Sequence, residues 1–483
     1  MQAGIILKIL GILLTIFSTT MLPPVLVGWL YGEASLLPFL NAFAILLSVG
    51  LLLWMPLRCV RRELRLKDGF VVVFLFWVGL GLSGALPLYL SPEPSISVTD
   101  AVFESMSGLT TTGATLLVGL DELPKSILFY RQQLQWLGGM GIIVLAVAIL
   151  PMLGVGGMQL YRAETPGPVK DNKLTPRIAE TAKALWYIYL GLTVACATAY
   201  WMAGMNTFDA ISHSFATVSL GGFSPYDASI GHFESPLIEV IAVVFILIGG
   251  VNFSLHFLSW RSLSLAHYLK DAEFRAYLLV LGTVATITVA YLTLTSIYDD
   301  FWTALHNGIF QAVSIGTTAG FTTASFHEWP GFLPVLLLFA SFIGGCAFST
   351  GGGIKVIRVL LLFKQGSREV MRLIHPSAQI AVKIGRKPLQ DRVIDAVWGF
   401  FSAYVATFAV IMLALLASGL DQISAFSAVA ACMNNLGPGL GQVGANYADV
   451  NDFAKWMLCL AMLMGRLEIF TVLVLLTPAF WRR

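Results

Sequence analysis

The sequence predicts an all-α polytopic membrane protein, in which an N-terminal two-span hairpin precedes four similar units in a pseudo-fourfold arrangement. Composition, charge distribution and a fourfold repeat predict this architecture. Of the 483 residues, 57% are hydrophobic and 12% are charged, and the mean hydropathy is +0.80. Soluble domains carry about 25% charged residues, so the composition excludes an ordinary soluble protein. Apolar runs of the roughly 20 residues that a helix needs to cross a bilayer recur along the chain.

The first apolar run, Ile5 to Trp29, is expected to stay in the protein as a membrane span. It is too long for the core of a signal peptide and lacks a small-residue cleavage site. The five cysteines show no CxxC spacing, and most lie in apolar runs. They therefore predict neither disulfides nor a metal site, and we expect the chain itself to bind no cofactor.

Basic residues are concentrated in a few connecting segments, whereas the other connections are acidic or neutral. The basic segments are Arg58 to Lys67, Arg162 to Lys183, Arg261 to Arg275, Lys364 to Arg392 and the C-terminal Arg482 and Arg483. By the positive-inside rule these segments are cytoplasmic. Ten spans with both termini inside satisfy this pattern. We expect a multi-pass membrane protein, with the lipid bilayer and no nucleic acid among its partners.

A unit of about one hundred residues is used four times. The copies align on Gly113, Gly222, Gly320 and Gly437. Thirteen residues before each glycine stands a residue that favours a helix N-cap, namely Asp100, Asp209, Asn307 and Ser424. About ten helix-compatible residues follow, enough for a helix of roughly 15 Å, half a bilayer. A span precedes and a span follows every copy.

Each predicted half-helix leads into a short strand that ends at the aligned glycine. The strands are Thr110, Thr111, Thr112, Gly113; Ser219, Leu220, Gly221, Gly222; Thr317, Thr318, Ala319, Gly320; and Asn434, Asn435, Leu436, Gly437. Non-helical backbone at membrane depth is tolerated only where protein buries it or water reaches it. Four such strands around an axis can offer carbonyls that replace the hydration shell of a monovalent cation. A single copy would more often be an ordinary turn, but four matched copies favour an ion pore.

The repeat divides the chain into five predicted parts. Residues 1–68 form the N-terminal hairpin, 69–160 the first pore repeat, 161–272 the second, 273–390 the third and 391–483 the fourth. The third part contains a further feature, a glycine-rich stretch inside an apolar run.

This stretch, "GGCAFSTGGGIKV" from Gly344 to Val356, interrupts a run that otherwise predicts one long span. It contains Gly344, Gly345, Ser349, Thr350, Gly351, Gly352 and Gly353, with Lys355 just beyond. Glycine inside a helix costs up to about 1 kcal/mol relative to alanine, so five in ten residues should break the span. The alternative is close helix packing through small residues. No Gly-Lys-Ser/Thr follows, so a phosphate-binding loop is excluded.

The four strands, the N-terminal pair of spans (residues 1–57) and this glycine-rich stretch resemble the TrkH-type potassium uptake subunits of the Trk/Ktr/HKT superfamily. The resemblance covers essentially the whole chain. It implies a pseudo-fourfold selectivity filter for K⁺ in each subunit, a homodimer, and a cytosolic TrkA-like ring that binds a regulatory nucleotide. It also implies a multi-pass protein of a bacterial inner membrane, and it implies that the stretch is a gating loop across the pore. Relatives with serine at the position of Gly113 tend to favour sodium, so this glycine resembles the potassium-selective pattern. The fourth strand, Asn434 to Gly439, departs from the Gly-Phe-Ser/Thr ending.

Arg466 lies in the middle of a predicted span, where insertion of an arginine costs about 2.5–3.5 kcal/mol. We expect it to face the bundle interior or water, where its charge would repel cations and its guanidinium could hold the loop closed through loop carbonyls. The alternative is a structural ion pair with Glu468. The sequence leaves open whether Lys355 assists the gate or only marks the cytoplasmic end.

Two functions of different classes follow from these residues. The first is a gated, channel-like potassium permease driven by the membrane potential. The second is a secondary carrier that couples K⁺ to H⁺ or Na⁺, which would be expected to use broken-helix repeats and buried ionisable residues at a midplane site. Four pore repeats with the same topology favour the first. An enzyme is not expected, because no nucleophile and base are placed together by the sequence.

Overall fold

The chain is described from a computed structural model, which covers residues 2–33, 36–60, 66–141, 178–385, 387–389 and 391–482. Over these ranges the protein is helical, except for one small hairpin in which Lys383–Ile384 pairs antiparallel with Lys387–Pro388. The predicted boundary at residues 160 and 161 and most of the basic segment from Arg162 to Lys183 lie outside the described residues.

Two helical spans form the N-terminal hairpin. The first consists of α1 (Ala3–Ser18), a 3₁₀ turn (Thr19–Met21) and α2 (Leu22–Leu30); the second is α3 (Leu37–Trp54), followed by the 3₁₀ turn Met55–Leu57. The α1 and α3 backbones are in contact at Gly11 and Gly50, where an added Cβ would come within 3.0 Å of the other helix. Small residues allow such close approach of membrane helices. The hairpin shares the largest buried hydrophobic cluster with the first and fourth repeats.

Each repeat has a first span, a short helix, an extended strand and a second span. The first repeat contains α4 (Leu66–Leu90), α5 (Val98–Leu109) and α6 (Lys125–Gly139). The second contains α7 (Ile178–Met202), α8 (Thr207–Ser219), α9 (Pro236–Gly249) and α10 (Phe253–Ser262), and α11 (Ala266–Lys270) connects it to the third. The third contains α12 (Ala272–Leu294), α13 (Phe301–Gly316), α14 (Leu333–Ile343) and α15 (Val356–Ile374). The fourth contains α16 (Asp391–Ala417), α17 (Gln422–Asn434), α18 (Asp452–Arg466), α19 (Phe470–Leu476) and α20 (Pro478–Trp481).

The prediction of a multi-pass helical membrane protein is confirmed. Six described helical segments are each long and apolar enough to cross a bilayer, and two bent helix pairs raise the number to eight. The predicted count of ten also needs α6, which leads into residues that the structure does not describe, and α14, which is short because a loop follows it. The arrangement is consistent with ten spans.

The predicted N-caps of the four short helices are wrong. The capping residues are Ser97, Asn206, Asp300 and Asp421, whose side chains accept hydrogen bonds from backbone N–H groups in the first helical turn. In three repeats the predicted residue is instead the third residue of the helix, a position where a polar side chain is also favoured. In the third repeat the capping residue lies seven residues before Asn307, so Asn307 is the seventh residue of the helix. The helices have 12, 13, 16 and 13 residues, so they are about 18–24 Å long.

The second spans of the second, third and fourth repeats, which the described residues cover, are each interrupted. The chain bends by 93° between α9 and α10 and by 116° between α18 and α19, and the segment from Gly344 to Lys355 separates α14 from α15. Only the third interruption is predicted by the sequence. Two hydrogen bonds show that all three interruptions lie close together. The backbone N–H of Cys346 donates to Gly250 O, and the guanidinium of Arg466 donates to Thr350 O. Below, α5, α8, α13 and α17 are called the pore helices, and residues 344–355 the loop.

Candidate functional site

All four pore helices end in the same turn. The residue two places before each aligned glycine has φ between +53° and +66°; these residues are Thr111, Leu220, Thr318 and Asn435. The next residue donates its backbone N–H to the carbonyl five residues earlier at 2.8–2.9 Å: Thr112 to Ser107, Gly221 to Ala216, Ala319 to Ser314, and Leu436 to Ala431. This is the Schellman pattern of helix ends, usually made with glycine in the left-handed position. Threonine and leucine rarely adopt positive φ, so the turn is strained, as backbone at functional sites often is.

The four strands close into a ring. The aligned glycines have φ between +78° and +95°. A Cβ added to any of them would come closer than 3.0 Å to a carbonyl oxygen of the next strand: Gly113 meets Gly221 O, Gly222 meets Ala319 O, Gly320 meets Leu436 O, and Gly437 meets Thr112 O. The order runs through the repeats and returns to the first. The sixteen predicted filter residues therefore lie together around one centre, in a pseudo-fourfold arrangement.

A cavity of about 450 Å³ lies on one side of the ring. Its lining includes the four aligned glycines and residues that follow each strand, among them Thr115, Ser224, Thr322 and Pro438. By the predicted topology this is the outer side. An ion entering this cavity would reach the glycine level of the ring directly.

The loop lies against the other side of the ring. Gly352 N donates to Thr318 Oγ1 at 2.7 Å, Gly353 N donates to Asn434 O at 3.0 Å, and Thr350 Oγ1 donates to Val218 O at 3.0 Å. These acceptors belong to the second, third and fourth repeats. The loop thus occupies acceptors at the base of the ring, beneath the strands.

The glycines of the loop permit its shape. Gly344 and Gly353 have φ of +67° and +76°, and a Cβ on either one would come within about 3 Å of the Cα of the other. The two ends of the loop therefore touch, so the chain leaves and re-enters the helical path at nearly the same point. The interruption is the predicted one, and the alternative of an unbroken, closely packed helix does not hold for residues 344–355.

Arg466 is placed between the loop and the first repeat. Its Nη1 donates to Thr350 O at 3.1 Å, and its Nη2 donates to Gly138 O at 2.7 Å. The carboxylate of Glu468 is paired with Arg358, with 2.7 Å between Nη2 and Oε2. Arg466 thus makes the predicted kind of contact with a loop carbonyl. The Nζ of Lys355 donates to Gly351 O, so this lysine closes the loop on itself.

A small cavity of about 50 Å³ below the ring is lined by Lys355, Arg358, Arg466 and Glu468, together with loop glycines. Three cationic side chains and one carboxylate give this region a positive potential. Such a potential opposes cation passage more strongly where the surroundings are of low dielectric constant. The loop and this cluster of charged side chains therefore lie at the same place below the ring.

Gln135 on α6 contacts the ring but is not among the residues predicted from the sequence. Its Nε2 donates to Gly221 O, and its Oε1 accepts from Phe223 N at 3.0 Å. The side chain therefore pairs both polar groups that flank Gly222 on the second strand. The available signal was the polar run Arg131-Gln-Gln-Leu-Gln135 in an otherwise membrane-compatible segment, since buried polar residues in spans are functional candidates by default.

A buried ion pair joins the first and second strands. Arg131 Nε lies 2.7 Å from Glu104 Oε1, and the two side chains are 1% and 0% exposed. Arg131 also donates to Thr115 Oγ1 at 3.0 Å and to Ser224 O at 3.1 Å. Removing one partner of such a pair typically costs about 3–5 kcal/mol, so this pair fixes the outer ends of both strands relative to each other.

The fold and the ring define a multi-pass membrane protein in which four strands, one from each repeat, meet at one centre. The family model described as TrkH, cation transport protein, matches residues 36–483. The chain belongs to this family. The prediction of a transport protein and not an enzyme is thereby confirmed.

Curated relatives match over nearly their whole length. The chain is 61% identical over 490 residues to the Trk system potassium uptake protein TrkH of Vibrio parahaemolyticus, with complete coverage of both chains. It is 57% identical over 477 residues to the protein of the same name from Escherichia coli K12, with 99% of each covered. The crystal structure of the potassium transporter TrkH from Vibrio parahaemolyticus superimposes with a TM-score of 0.92 at 57% identity over all of both chains.

Replacing Gly113 with serine should lower the preference for K⁺ over Na⁺ or reduce K⁺ uptake. The new Cβ would be pressed against Gly221 O at a backbone φ of +79°. Gly119→Ser is the matched control, because Gly119 has φ +73° but no atom within 4 Å of an added Cβ. Uptake of K⁺ and Na⁺ by cells expressing each variant measures the effect. An unchanged ion preference in Gly113→Ser would count against Gly113 as a filter residue.

Replacing Gln135 with leucine should impair K⁺ uptake, because Gly221 O and Phe223 N would lose their partner and each buried unpaired group costs about 1–3 kcal/mol. Gln132→Leu is the control. Gln132 is equally buried on the same helix, and among the described residues its amide has no hydrogen-bond partner. Uptake and thermal unfolding should be measured for both variants. Equal behaviour of the two would show that the Gln135 contacts do not support the ring.

Proposed function

We propose that the chain takes up potassium ions across the bacterial inner membrane through the ring of four strands. The single observation that carries this proposal is the closed cyclic contact of the four aligned glycines with the carbonyls of the next strands. The names of the relatives, Trk system potassium uptake proteins, support K⁺ as the transported ion. K⁺ would be cargo and not a resident cofactor.

The chemistry follows from the backbone. Carbonyl oxygens of the strands, which we assign as the filter, would replace the water molecules around K⁺. The pore helices end at Leu109, Ser219, Gly316 and Asn434, next to the strands. A helix C-terminus carries about half a negative elementary charge, so four of them around one centre attract a monovalent cation while leaving it free to move on.

We assign the gate to the loop and to Arg466. The loop contacts the base of three strands, and Arg466 links Thr350 to Gly138 of the first repeat. Conduction would require the loop to move aside. Lys355 would assist the closed state from within, through its bond to Gly351 O.

The assembly is a further part of the proposal. We expect a homodimer with both termini in the cytoplasm, regulated by a cytosolic TrkA-like ring that carries the nucleotide. The basic segments from Arg162 to Lys183 and from Lys364 to Arg392 are the expected docking surface. In the second segment, α15 presents the exposed side chain of Arg372, which supports a charged contact with a soluble partner.

Removing the gate should raise K⁺ flux in proteoliposomes that lack the cytosolic partner. Two variants test this: Arg466→Ala, and a deletion of residues 346–351, which the contact between Gly344 and Gly353 permits. Selectivity should change little, because the strands stay intact. Lys455→Ala is the control, since Lys455 is a buried cation on the same helix that pairs with Asp100 at 2.7 Å.

The same assay separates the two candidate functions when the membrane potential and the ion gradients are set independently. Flux that follows the electrochemical gradient of K⁺ alone supports the channel-like permease. Flux driven by a gradient of H⁺ or Na⁺ would instead establish the carrier. Folded gate variants whose basal flux equals that of the wild type would remove the gate assignment and leave the filter proposal standing.

A further inference from the structure

One buried carboxylate contacts the loop and the helix that follows it. Glu273 is the second residue of α12, and its side chain is 7% exposed. Its Oε1 accepts hydrogen bonds from Ala347 N at 2.7 Å and from Ile357 N at 3.2 Å. Ala347 lies within the loop, and Ile357 lies in the first turn of α15. A side chain from a neighbouring span therefore ties the loop to the start of the next helix.

The start of α15 needs an acceptor from outside. The first N–H groups of a helix have no partner within the helix. The capping position is held by Lys355, which has φ +84° and makes no side-chain cap, because an ammonium group can only donate. A carboxylate near a helix N-terminus is also favoured by the helix dipole. Glu273 thus replaces the cap that Lys355 does not supply.

The remaining contacts of this half of the loop are with the backbone at the bend of the second repeat. Cys346 N donates to Gly250 O at 2.8 Å, and Phe253 N donates to Phe348 O at 3.1 Å. Both bonds join uncharged groups. Glu273 is thus a side-chain acceptor that receives two backbone N–H groups on this side, as Arg466 is a side-chain donor to Thr350 O on the other side.

We propose that Glu273 is a positioning residue that holds the loop in its closed place beneath the ring. Opening would require Ala347 to leave the carboxylate while Ile357 stays capped. The proposal rests on the proposed gate and adds a residue of the third repeat's first span to it. The contact that would break on opening, between Ala347 and Glu273, lies next to Cys346, which is 1% exposed.

Chemical labelling of Cys346 tests the tether separately from conduction. Glu273→Ala, Glu273→Gln and wild type are treated with a small water-soluble thiol reagent in partner-free proteoliposomes, and modification of Cys346 is followed by mass spectrometry. The rate should rise about tenfold in Glu273→Ala, and less in Glu273→Gln, which keeps one carbonyl acceptor. Basal K⁺ flux should rise in the same order with unchanged ion preference. Where the alanine variant does not fold, the glutamine variant carries the test.

Glu239→Ala is the matched control. Glu239 is also 7% exposed, but it accepts from His306 Nδ1 at 2.9 Å and has no described contact with the loop. Its loss should alter neither labelling nor flux. Unchanged Cys346 labelling in folded Glu273 variants would overturn the tether, even where Arg466→Ala raises flux and upholds the gate. Increased labelling without increased flux would uphold the tether and overturn the gate.

Discussion

Extended backbone inside a bilayer requires partners within the protein for its N–H and C=O groups. Four strands of this structure are under that constraint, and the arrangement of the surrounding elements depends on it. Each pore helix supplies one carbonyl acceptor through its terminal turn. Specific side chains supply further donors and acceptors. Gln135 pairs with both sides of Gly222, and Tyr447 donates to Gly437 O at 2.8 Å while its backbone N–H pairs with Thr115 O. Groups behind the ring thus supply partners for part of its backbone and hold the strands in place.

The loop also supplies hydrogen-bond partners to the backbone of the ring, from below. The proposed filter and the proposed gate are therefore in direct contact. Asn434 O and Val218 O accept hydrogen bonds from the loop, so the base of the ring is satisfied by the loop when it lies in place. A loop that moved aside would release these carbonyls to water or to a passing ion. Arg466 and Glu273 contact different parts of the loop, at Thr350 and Ala347. Opening would exchange these protein partners of the ring for ionic or aqueous ones.

Local patterns predicted much of this site from the sequence. The repeat of strands and the interruption at Gly344 depend on residues that are near each other in sequence. The approach of Arg466 to the loop depends on its charge, which a membrane span tolerates only where protein or water surrounds it. The N-caps were misplaced by three residues or more because polar residues favour both the cap and the third helical position. The bend after Arg466 could not be predicted, since Glu468 and Ile469 at its centre have positive φ without glycine or proline. Gln135, Arg131 and Glu273 were missed because their partners lie 27 or more residues away.

Anomalous X-ray diffraction from crystals grown in rubidium tests the central claim most directly. Rb⁺ resembles K⁺ in size and charge, and its anomalous signal locates it independently of the protein. We expect peaks on the axis of the ring, at the levels of the aligned glycines and of the residues before them, with backbone carbonyls of all four repeats as ligands. Rubidium bound only at carboxylates, with none on the axis of a well-ordered ring, would contradict the claim that these four strands form the ion pathway.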